Sequence, residues 1–351
     1  MAVRIGFAGT GGIAGAHLAN LVRIPEAEVV ALYDVERERC ELAMRRINGQ
    51  QEQLVRPGAT EPRRLQAKVY TDFKRMLDEA GLQAVYICVP PSSHGELELA
   101  AIEAGVALLV EKPVALSMDL ARQVATAIQE KGLVSASGYQ TRYSEATDKA
   151  REILAGKTVA MALGFYLGGL PGTPWWRVQA RSGGQLVEQA THTVDLMRYL
   201  LGDVTRVYAA GATRLMKDQP GLDIFDVAVT TLHFASGAIG TIANTSALGG
   251  GSATGAPNGV HLILQDQRLE VWGNTLKVIS ASSAKAPGKT EEFRSTTSAM
   301  HVQDQAFVEA VGRKDPTRVR SPYMDAARTL AVTLAAEESA RTNKPVDVPK
   351  L

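Results

Sequence analysis

Short apolar runs alternate with segments of helical periodicity along roughly the first 140 residues. The apolar runs predict buried strands at 3–8, 28–33, 68–70, 84–89, 107–110 and 133–137. Between them we expect helices over 13–21, over 35–47, over 72–79 with Thr71 as N-cap, after Ser92 or Ser93, and from Ser117 to Lys131. The polar segment 48–66 predicts a surface loop. Such regular alternation is typical of an α/β fold with a doubly wound parallel sheet.

The second part of the chain is dominated by segments that resemble strands. These are 158–167, 204–215, 223–234, 237–247, 257–264, 268–272 and 275–280. Turn-forming pairs such as Ser236-Gly237 separate several of them, as in antiparallel hairpins. Helices are predicted over 144–155, 185–201, 301–311 and 322–341, and loops over 249–251 and 281–290. The chain therefore divides into a Rossmann-like domain (1–140), an α+β domain (141–321) and a C-terminal helix and tail (322–351).

The amino-acid composition is that of an ordinary globular protein. Apolar residues make up 45% and charged residues 21% of 351 residues, a length that favours two domains over one. A net charge of +1 gives no field suited to nucleic acid or an anionic membrane. Cys40 and Cys88 have no metal-ligand spacing and favour a reducing, cytoplasmic setting. We expect no signal segment, because the first residues predict a strand rather than a charged segment followed by an apolar one. We expect no membrane span, because no apolar run reaches about 18 residues.

A glycine motif lies between the first predicted strand and the first predicted helix. Gly9, Gly11 and Ala14 form G-x-G-x-x-A. In this context Gly9 permits a tight turn, and Gly11 lets the backbone approach a pyrophosphate. Ala14 lets the helix pack closely on the strand, and the N-terminus of the helix attracts the phosphate charge. The motif therefore predicts a dinucleotide site.

An acidic residue ends the second predicted strand. Asp34 follows Ala14 at the distance that this motif requires. Its carboxylate would accept hydrogen bonds from an adenosine ribose and would repel a 2′-phosphate. The sequence therefore favours NAD over NADP.

Two loops follow buried strands at the edge where such sheets bind ligands. After 84–89, Pro90 and Pro91 end the strand. His94 lies in the predicted first turn of the next helix, where it satisfies a cap, contacts the cofactor or is a plain surface residue. After 107–110 comes Glu111-Lys112-Pro113. Lys112 can hold a hydroxyl or carbonyl oxygen where nicotinamide and substrate meet. The alternative is a surface salt bridge, and the glycine motif favours the functional interpretation.

Three titratable residues recur at helical spacing in the segment 185–201. Spacings of four and three place Glu188, His192 and Asp195 on one face of the predicted helix. Histidine can act as a general base near neutral pH, and a carboxylate one turn away can orient it. The alternatives are a solvated stripe, a metal site, or a structural pair between Asp195 and Arg198. No third soft ligand is nearby, so we expect no metal.

A loop rich in glycine and proline contains Trp175-Trp176-Arg177. Two adjacent tryptophans in such a loop are poor core material, so we expect at least one to be partly exposed. Aromatic faces pack on sugar C–H groups, and arginine holds hydroxyls or carboxylates. The alternative is an interdomain or subunit contact.

These motifs, taken in order, resemble the glucose–fructose oxidoreductase / inositol dehydrogenase / MocA family over nearly the whole chain. The resemblance rests on 9–14 with His17, Asp34, 89–94, 111–113, 138–143, and Gly183-Gly184 with Glu188, His192 and Asp195. It implies a Rossmann domain, then an open, mostly antiparallel sheet, a last helix that returns toward the first domain, and dimers or tetramers formed through the sheets. It also implies that Lys112 and His192 are the catalytic pair, and that the Lys112–Pro113 bond is cis.

Site residues follow from the motifs and the resemblance together. The expected catalytic residues are Lys112, His192 and Glu188, and the expected substrate residues are Arg142, Trp176 and Arg177. The expected cofactor residues are Gly9, Thr10, Gly11, Gly12, Ile13, Ala14, Asp34, Val89, Pro90, His94, Glu111, Lys112 and Gln140.

The chain departs from the family pattern at two places. The position of Glu188 is usually aspartate in inositol-dehydrogenase-like members, and glutamate is one methylene longer. The Pro-Trp-Trp-Arg loop at 174–177 is not a general family feature. The substrate therefore cannot be carried over from inositol or glucose.

The hypothesis favoured by the sequence is an NAD-dependent dehydrogenase that acts on a secondary alcohol of a sugar, cyclitol or related polyol. His192 takes the hydroxyl proton, Lys112 holds the oxygen, and Glu188 orients His192 or binds a neighbouring hydroxyl. Two alternatives remain, an NAD-dependent glycoside hydrolase and a non-catalytic NAD-sensing regulator. A sensor would need neither Lys112 nor His192.

Overall fold

A computed structural model describes residues 2–54, 64–249, 258–282 and 287–351. Its strands are β1 Val3–Ala8, β2 Ala27–Tyr33, β3 Lys68–Tyr70, β4 Ala84–Ile87, β5 Ala107–Val110, β6 Ser135–Ser137, β7 Met161–Leu167, β8 Val204–Ala212, β9 Val227–Phe234, β10 Ile239–Thr245, β11 Gly259–Ile263, β12 Gln267–Trp272, β13 Thr275–Ser280, β14 Lys289–Arg294 and β15 Val346–Asp347. Its α-helices are α1 Gly12–Leu21, α2 Arg37–Leu54, α3 Phe73–Glu79, α4 Glu96–Glu103, α5 Met118–Lys131, α6 Glu145–Leu154, α7 Gln179–Ser182, α8 Gln185–Glu188, α9 Thr191–Leu201, α10 Ala299–Arg313 and α11 Tyr323–Thr342. Short 3₁₀ turns lie at Pro91–Ser93, Gln140–Tyr143, Pro174–Arg177 and Pro316–Arg318.

The chain forms two compact units. The first consists of Met1–Val114, Asp119–Gly138 and Met300–Tyr323, and the second of Ala115–Met118, Tyr139–Ala299 and Met324–Leu351. No helix in the described part of the chain is both long enough and apolar enough to cross a bilayer.

The first unit contains a parallel sheet with the strand order β3-β2-β1-β4-β5-β6. Its central strands are buried on both faces, as all-parallel sheets require, and Ile5 and Phe7 of β1 are fully buried. The order reverses at β1, which places the turn after β1 beside the loops that follow β4 and β5. The predicted Rossmann-type sheet is confirmed.

Residues 300–323 pack in the first unit, whereas 300–321 were predicted to belong to the second domain and 322–323 to the C-terminal helix. The reason is a set of hydrogen bonds at the end of β6. The amide of Gln303 donates to the carbonyl of Ser137 at 2.6 Å, and the Ser321 hydroxyl donates to the same carbonyl at 2.8 Å. These pairings are distant in sequence, so no local pattern could have revealed them.

The second unit contains a mostly antiparallel sheet with the strand order β14-β13-β12-β11-β7-β10-β9-β8-β15. Strands β7 and β10 are parallel, and the other described pairs are antiparallel. One face carries the apolar core, in which Ile242 of β10, Met197 of α9 and Ala336 of α11 belong to one cluster. The predicted α+β architecture is confirmed.

Several local expectations were wrong. Helix α2 continues to Leu54, beyond the predicted end at 47, and residues 55–63 of the predicted loop lie outside the described residues. Asp72 rather than Thr71 caps α3, because its carboxylate accepts the Arg75 N–H at 2.9 Å. Part of the predicted loop 281–290 belongs to β14, which starts at Lys289, and residues 250, 251 and 283–286 lie outside the described part. Strand β15 was not predicted.

Candidate active site

The glycine turn after β1 contains two glycines that are needed for different reasons. Gly9 has φ +86°, and a Cβ there would collide with the carbonyl oxygen of Cys88. Gly11 has an ordinary φ of −71° as the N-cap of α1, and a Cβ there would meet no atom within 4 Å. Position 9 therefore requires glycine, because any other residue would be strained in this left-handed backbone conformation. At Gly11 the open space in front of the helix N-terminus suits a close approach by a phosphate.

Substitutions at the two glycines should separate folding from cofactor binding. We expect Gly9→Ala to lower the free energy of unfolding by about 1–3 kcal/mol, because of the left-handed backbone and the carbonyl collision. We expect Gly11→Val to change it by less than about 1 kcal/mol. The added side chain should nevertheless weaken NAD binding at least about tenfold. Urea denaturation and calorimetric titration measure the two effects. Full NAD affinity in Gly11→Val would contradict this assignment.

Asp34 at the end of β2 is attached to the glycine turn. One carboxylate oxygen accepts both the backbone N–H and the hydroxyl of Thr10 at 3.0 Å, and the other accepts the Glu36 N–H at 3.3 Å. Thr10 and Asp34 are both buried. The expected ribose ligand therefore also fixes the shape of the turn, a second role that the motif alone does not reveal.

A buried chain of charges links α10, α1 and the end of β5. The Nδ1 of His17 lies 2.6 Å from the Asp304 carboxylate, and its Nε2 lies 3.1 Å from the Glu111 carboxylate. Asn20 donates to the second oxygen of Asp304 at 2.8 Å. Burial opposes the charge on His17, but Asp304 and then Glu111 outweigh it and raise the histidine pKa from 6.5 to about 10. His17 is therefore an imidazolium at neutral pH.

This charged chain ends directly beside Lys112. The second oxygen of Glu111 accepts the Lys112 backbone N–H at 3.3 Å. A Cβ on Gly138 would collide with the Glu111 carboxylate, so Gly138 makes room for it. The Lys112–Pro113 bond is cis, as the resemblance implied. Glu111 is thus a buried partner of His17 at the carboxyl end of β5, and its expected contact with the cofactor stays a prediction.

His94 precedes α4, whereas it was predicted to lie in the first turn of that helix. Gly95, with φ +119°, separates the 3₁₀ turn after Pro90 from the helix. The Nδ1 of His94 contacts the Glu98 carboxylate, which also accepts the Gly95 N–H at 2.5 Å. Its Nε2 is buried and has no hydrogen-bond partner within the described residues. Val89 and Pro90, the other predicted cofactor residues of this loop, are half-buried.

In the second unit the predicted helix 185–201 is broken. Helix α8 ends at Glu188, and α9 begins at Thr191. Gln189 has φ −110° and ψ −55°, and the Ala190 N–H returns to the Gln185 carbonyl at 2.9 Å. The expectation that Glu188 shares one continuous helical face with His192 and Asp195 was therefore wrong. No glycine or proline marks the break, so the local sequence gave no signal of it.

Trp176 is buried and bonded to Glu188. Its side chain is 1% exposed, and its indole Nε1 donates to the Glu188 carboxylate at 2.6 Å. Trp175 and Arg177 are half-buried, which agrees with the expectation that at least one tryptophan is partly exposed. Trp176 thus meets a predicted catalytic residue, although its indole does not present the exposed face that was expected for sugar packing.

His192 lies in the first turn of α9 beside a buried tyrosine. The rings of Tyr139 and His192 meet edge to face, with centroids 6.0 Å apart. The Tyr139 hydroxyl lies 2.8 Å from that of Thr191. Burial raises the pKa of Tyr139 well above its ordinary value, so the phenol stays neutral. Tyr139 lies in the segment 138–143, one of those on which the family resemblance rests, but it was not predicted to be a site residue.

Arg142 belongs to a buried ion-pair network. Its guanidinium donates to both oxygens of Asp195, at 2.8 and 2.6 Å, and contacts Asp325 at 2.5 Å. Thr329 donates to Asp195 at 2.8 Å. Arg142, expected to hold substrate, is therefore committed to orienting Asp195. Arg198, the partner proposed for Asp195, instead contacts Asp203 at 2.7 Å and Asp325 at 3.2 Å.

The remaining predicted groups are placed as follows. Gln140 begins the 3₁₀ turn that also contains Arg142. Ile13 and the exposed Gly12 lie in the first turn of α1, and Ala14 is fully buried against the sheet. Among the described residues, no group of three or more His, Cys, Asp or Glu side chains could hold a metal ion.

Two family models match the chain in succession. The model described as "Oxidoreductase family, NAD-binding Rossmann fold" matches residues 3–139, and the GFO/IDH/MocA C-terminal domain matches residues 148–278. The chain belongs to this oxidoreductase family. The resemblance stated from the motifs is thereby confirmed, and so is NAD as the cofactor of the Rossmann domain.

Relatives within the family are similar over most or all of the chain. A scyllo-inositol 2-dehydrogenase (NAD(+)) of Bacillus subtilis is 28% identical, over 99% of this chain and 96% of that protein. A myo-inositol 2-dehydrogenase of Thermotoga maritima is 24% identical, over 79% of this chain and 75% of that protein. The solved structure of a levoglucosan dehydrogenase in complex with NADH has a TM-score of 0.84 at 20% identity, and the match covers 100% of both chains. That structure supports the fold.

The residues of the glycine turn fit the cofactor of this family. Gly11 leaves open space at the N-terminus of α1, where a pyrophosphate binds in Rossmann folds. Asp34 closes the turn from the end of β2.

Proposed function

We propose that the protein is an NAD-dependent dehydrogenase that oxidises a secondary alcohol of a sugar, cyclitol or related polyol. The observation that carries the proposal is the position of Lys112. It lies two residues after the end of β5, a strand two places from β1 and its glycine turn in the same sheet, and its backbone N–H donates to the buried Glu111. Family membership supports the same reaction class.

The proposed reaction converts a carbinol and NAD⁺ into a carbonyl, NADH and a proton. NAD⁺ supplies the hydride acceptor when bound. The Lys112 ammonium donates a hydrogen bond to the hydroxyl oxygen and stabilises negative charge that develops there. His192 accepts the hydroxyl proton as general base. Glu188 binds a neighbouring hydroxyl or orients His192, and Arg142 keeps Asp195 in place one turn further along α9.

We propose NAD rather than NADP because Asp34 places a carboxylate where a 2′-phosphate would be repelled. The other proposed cofactor residues are those of the glycine turn, the loop of Val89, Pro90 and His94, the pair Glu111 and Lys112, and Gln140. Trp176 and Arg177 are proposed to shape the substrate site.

A panel of substrates tests this function. Purified protein is incubated with neutral sugars, cyclitols and sugar acids, each with NAD⁺ and with NADP⁺, and absorbance of the reduced nicotinamide is followed. We expect NADH to accumulate with at least one polyol and more slowly with NADP⁺. Release of an aglycone from a glycoside without net NADH would identify a glycoside hydrolase instead. NAD binding with no turnover on any member would favour a sensor.

We further propose that the protein is a homodimer or homotetramer formed through the sheet of the second unit. Met161, Val229 and Ile239 lie on adjacent strands, on the face opposite the core, and are 46%, 54% and 48% exposed. Met161 is paired with Ile239, and Val229 lies further along the same face, opposite Ala243. Exposed apolar side chains on one face of a sheet are typical of protein interfaces. We expect light scattering to give two or four times the chain mass of 37.5 kDa, and Ile239→Lys to shift it to the monomer. A monomeric wild-type protein would contradict this.

A further inference from the structure

The tryptophan loop and Glu188, the two places where the resemblance implied a departure from the family pattern, meet in the structure. The indole Nε1 of Trp176 donates to a Glu188 carboxylate oxygen at 2.6 Å. A buried indole N–H ordinarily requires a partner, and a hydrogen bond to a carboxylate is both short and strong. Trp176 is 1% exposed, so the bond is shielded from water on the tryptophan side.

The local backbone is built to bring these two residues together. The chain reverses between α7 and α8 at Gly183 and Gly184, which have φ of +79° and +85°. A Cβ at Gly183 would lie 2.7 Å from the Val187 side chain, so only glycine allows this close return. The Gln179 N–H donates to the Asp223 carboxylate at 2.5 Å, which fixes the segment between the two partners.

The length of the side chain at position 188 completes the contact. Aspartate would withdraw the carboxylate by about one C–C bond, roughly 1.5 Å, and would leave the buried indole N–H without its acceptor. Phenylalanine at position 176 would fill the site but would remove the indole donor that holds this oxygen of the Glu188 carboxylate. The contact therefore needs both the indole and the longer side chain.

We propose that Trp176 is a positioning residue that fixes the Glu188 carboxylate, and that the pair selects substrates with a neutral hydroxyl at this position. The proposal rests on the dehydrogenase function proposed above. A fixed carboxylate accepts a hydrogen bond from a substrate hydroxyl, whereas it repels a substrate carboxylate. The class of substrate that follows is a neutral sugar or cyclitol, rather than a sugar acid.

An NMR experiment tests the pairing independently of activity. The chain has three tryptophans, so ¹⁵N-labelled protein gives three indole N–H signals, and Trp176→Phe identifies the one that belongs to Trp176. We expect that signal to lie downfield of the other two and to move upfield in both Glu188→Gln and Glu188→Asp. Trp272→Phe removes an indole on β12 and is the matched control. An unchanged Trp176 signal in Glu188→Asp would overturn the positioning role.

Kinetics with defined substrates test the selectivity. The probes are D-glucose, D-galactose and myo-inositol, compared with D-glucuronate and D-galacturonate. We expect Trp176→Phe and Glu188→Asp each to lower kcat/KM for the best neutral probe by about ten- to a hundredfold, and the double variant to lose no more than the worse single variant. The ratio of kcat/KM for the neutral probe to kcat/KM for the acidic probe should fall in both single variants and in the double variant. Trp272→Phe should have the same kcat/KM values as the wild type.

The outcomes separate the failure of this inference from the failure of the proposed function. Multiplicative losses in the double variant, or a wild-type preference for the acids that Arg177→Ala abolishes, would overturn the pairing as the selectivity determinant. If no probe were oxidised by the wild type, the dehydrogenase function would fail and the selectivity inference with it. The NMR result would still decide whether Trp176 fixes Glu188.

Discussion

Lys112→Ala is expected to lower kcat by about 10²- to 10⁴-fold on the best polyol of the panel, with NAD affinity kept within about threefold. The proposed role of Lys112 is to stabilise charge on the reacting oxygen, and this charge is largest in the transition state. The variant should therefore lose turnover rather than ground-state binding. Initial rates of NADH formation and calorimetric NAD titration measure the two quantities.

Two further variants separate the ammonium group from its side-chain stem. Lys112→Met keeps most of the stem and should be as impaired as Lys112→Ala. Lys131→Ala removes an exposed lysine at the end of α5 and should leave both quantities unchanged. Turnover of Lys112→Met near the wild-type rate would show that the ammonium group has no part in the reaction. A loss of NAD affinity equal to the loss of turnover would instead show that Lys112 acts through cofactor binding alone and has no part in the chemical step.

The sequence predicts most of the fold because the fold depends on local patterns. Apolar runs located the described strands of the first unit, and the glycine motif identified the turn in which Gly9 has a positive φ. The motif also placed Asp34 at the end of β2. These features depend on residues that are close together in the sequence, so the local sequence is enough to predict them.

The candidate site is less predictable because its contacts join distant segments. Asp304 lies 287 residues from His17, and the local sequence around either residue does not indicate that the two side chains pair. The break after Glu188 replaces a continuous helix without glycine or proline, because the Ala190 N–H bonds back to Gln185. The sequence singled out Trp176 by its composition, but its bond to Glu188 depends on the reversal at Gly183 and Gly184. Residue types were therefore predictable, and their partners were not.

Asp304→Asn is expected to lower the free energy of unfolding by about 3 kcal/mol or more at pH 7. The His17 and Asp304 side chains are both fully buried, and removing the Asp304 charge takes away the nearer of the two carboxylates that compensate the buried imidazolium. Asparagine at this position would keep the size of the side chain, so the loss reports the charge rather than a cavity. Urea denaturation measures it. Asp119→Asn, which changes a fully exposed carboxylate on α5, is the control and should leave the free energy of unfolding unchanged.

The pH dependence of that difference identifies the imidazolium as its cause. The pKa of His17 is raised from 6.5 to about 10 in the folded protein. A raised pKa means that the folded state binds the proton more tightly, so this stabilisation is complete below about pH 6.5 and is lost as pH rises through about 10. The gap in unfolding free energy between wild type and Asp304→Asn should therefore be widest below about pH 6.5 and should narrow as pH rises toward 10. A gap that stays constant over this range would contradict a charged His17. Because the other nitrogen of His17 contacts Glu111, whose carboxylate accepts the Lys112 N–H, loss of the imidazolium should also weaken the support of the backbone that carries the proposed catalytic lysine.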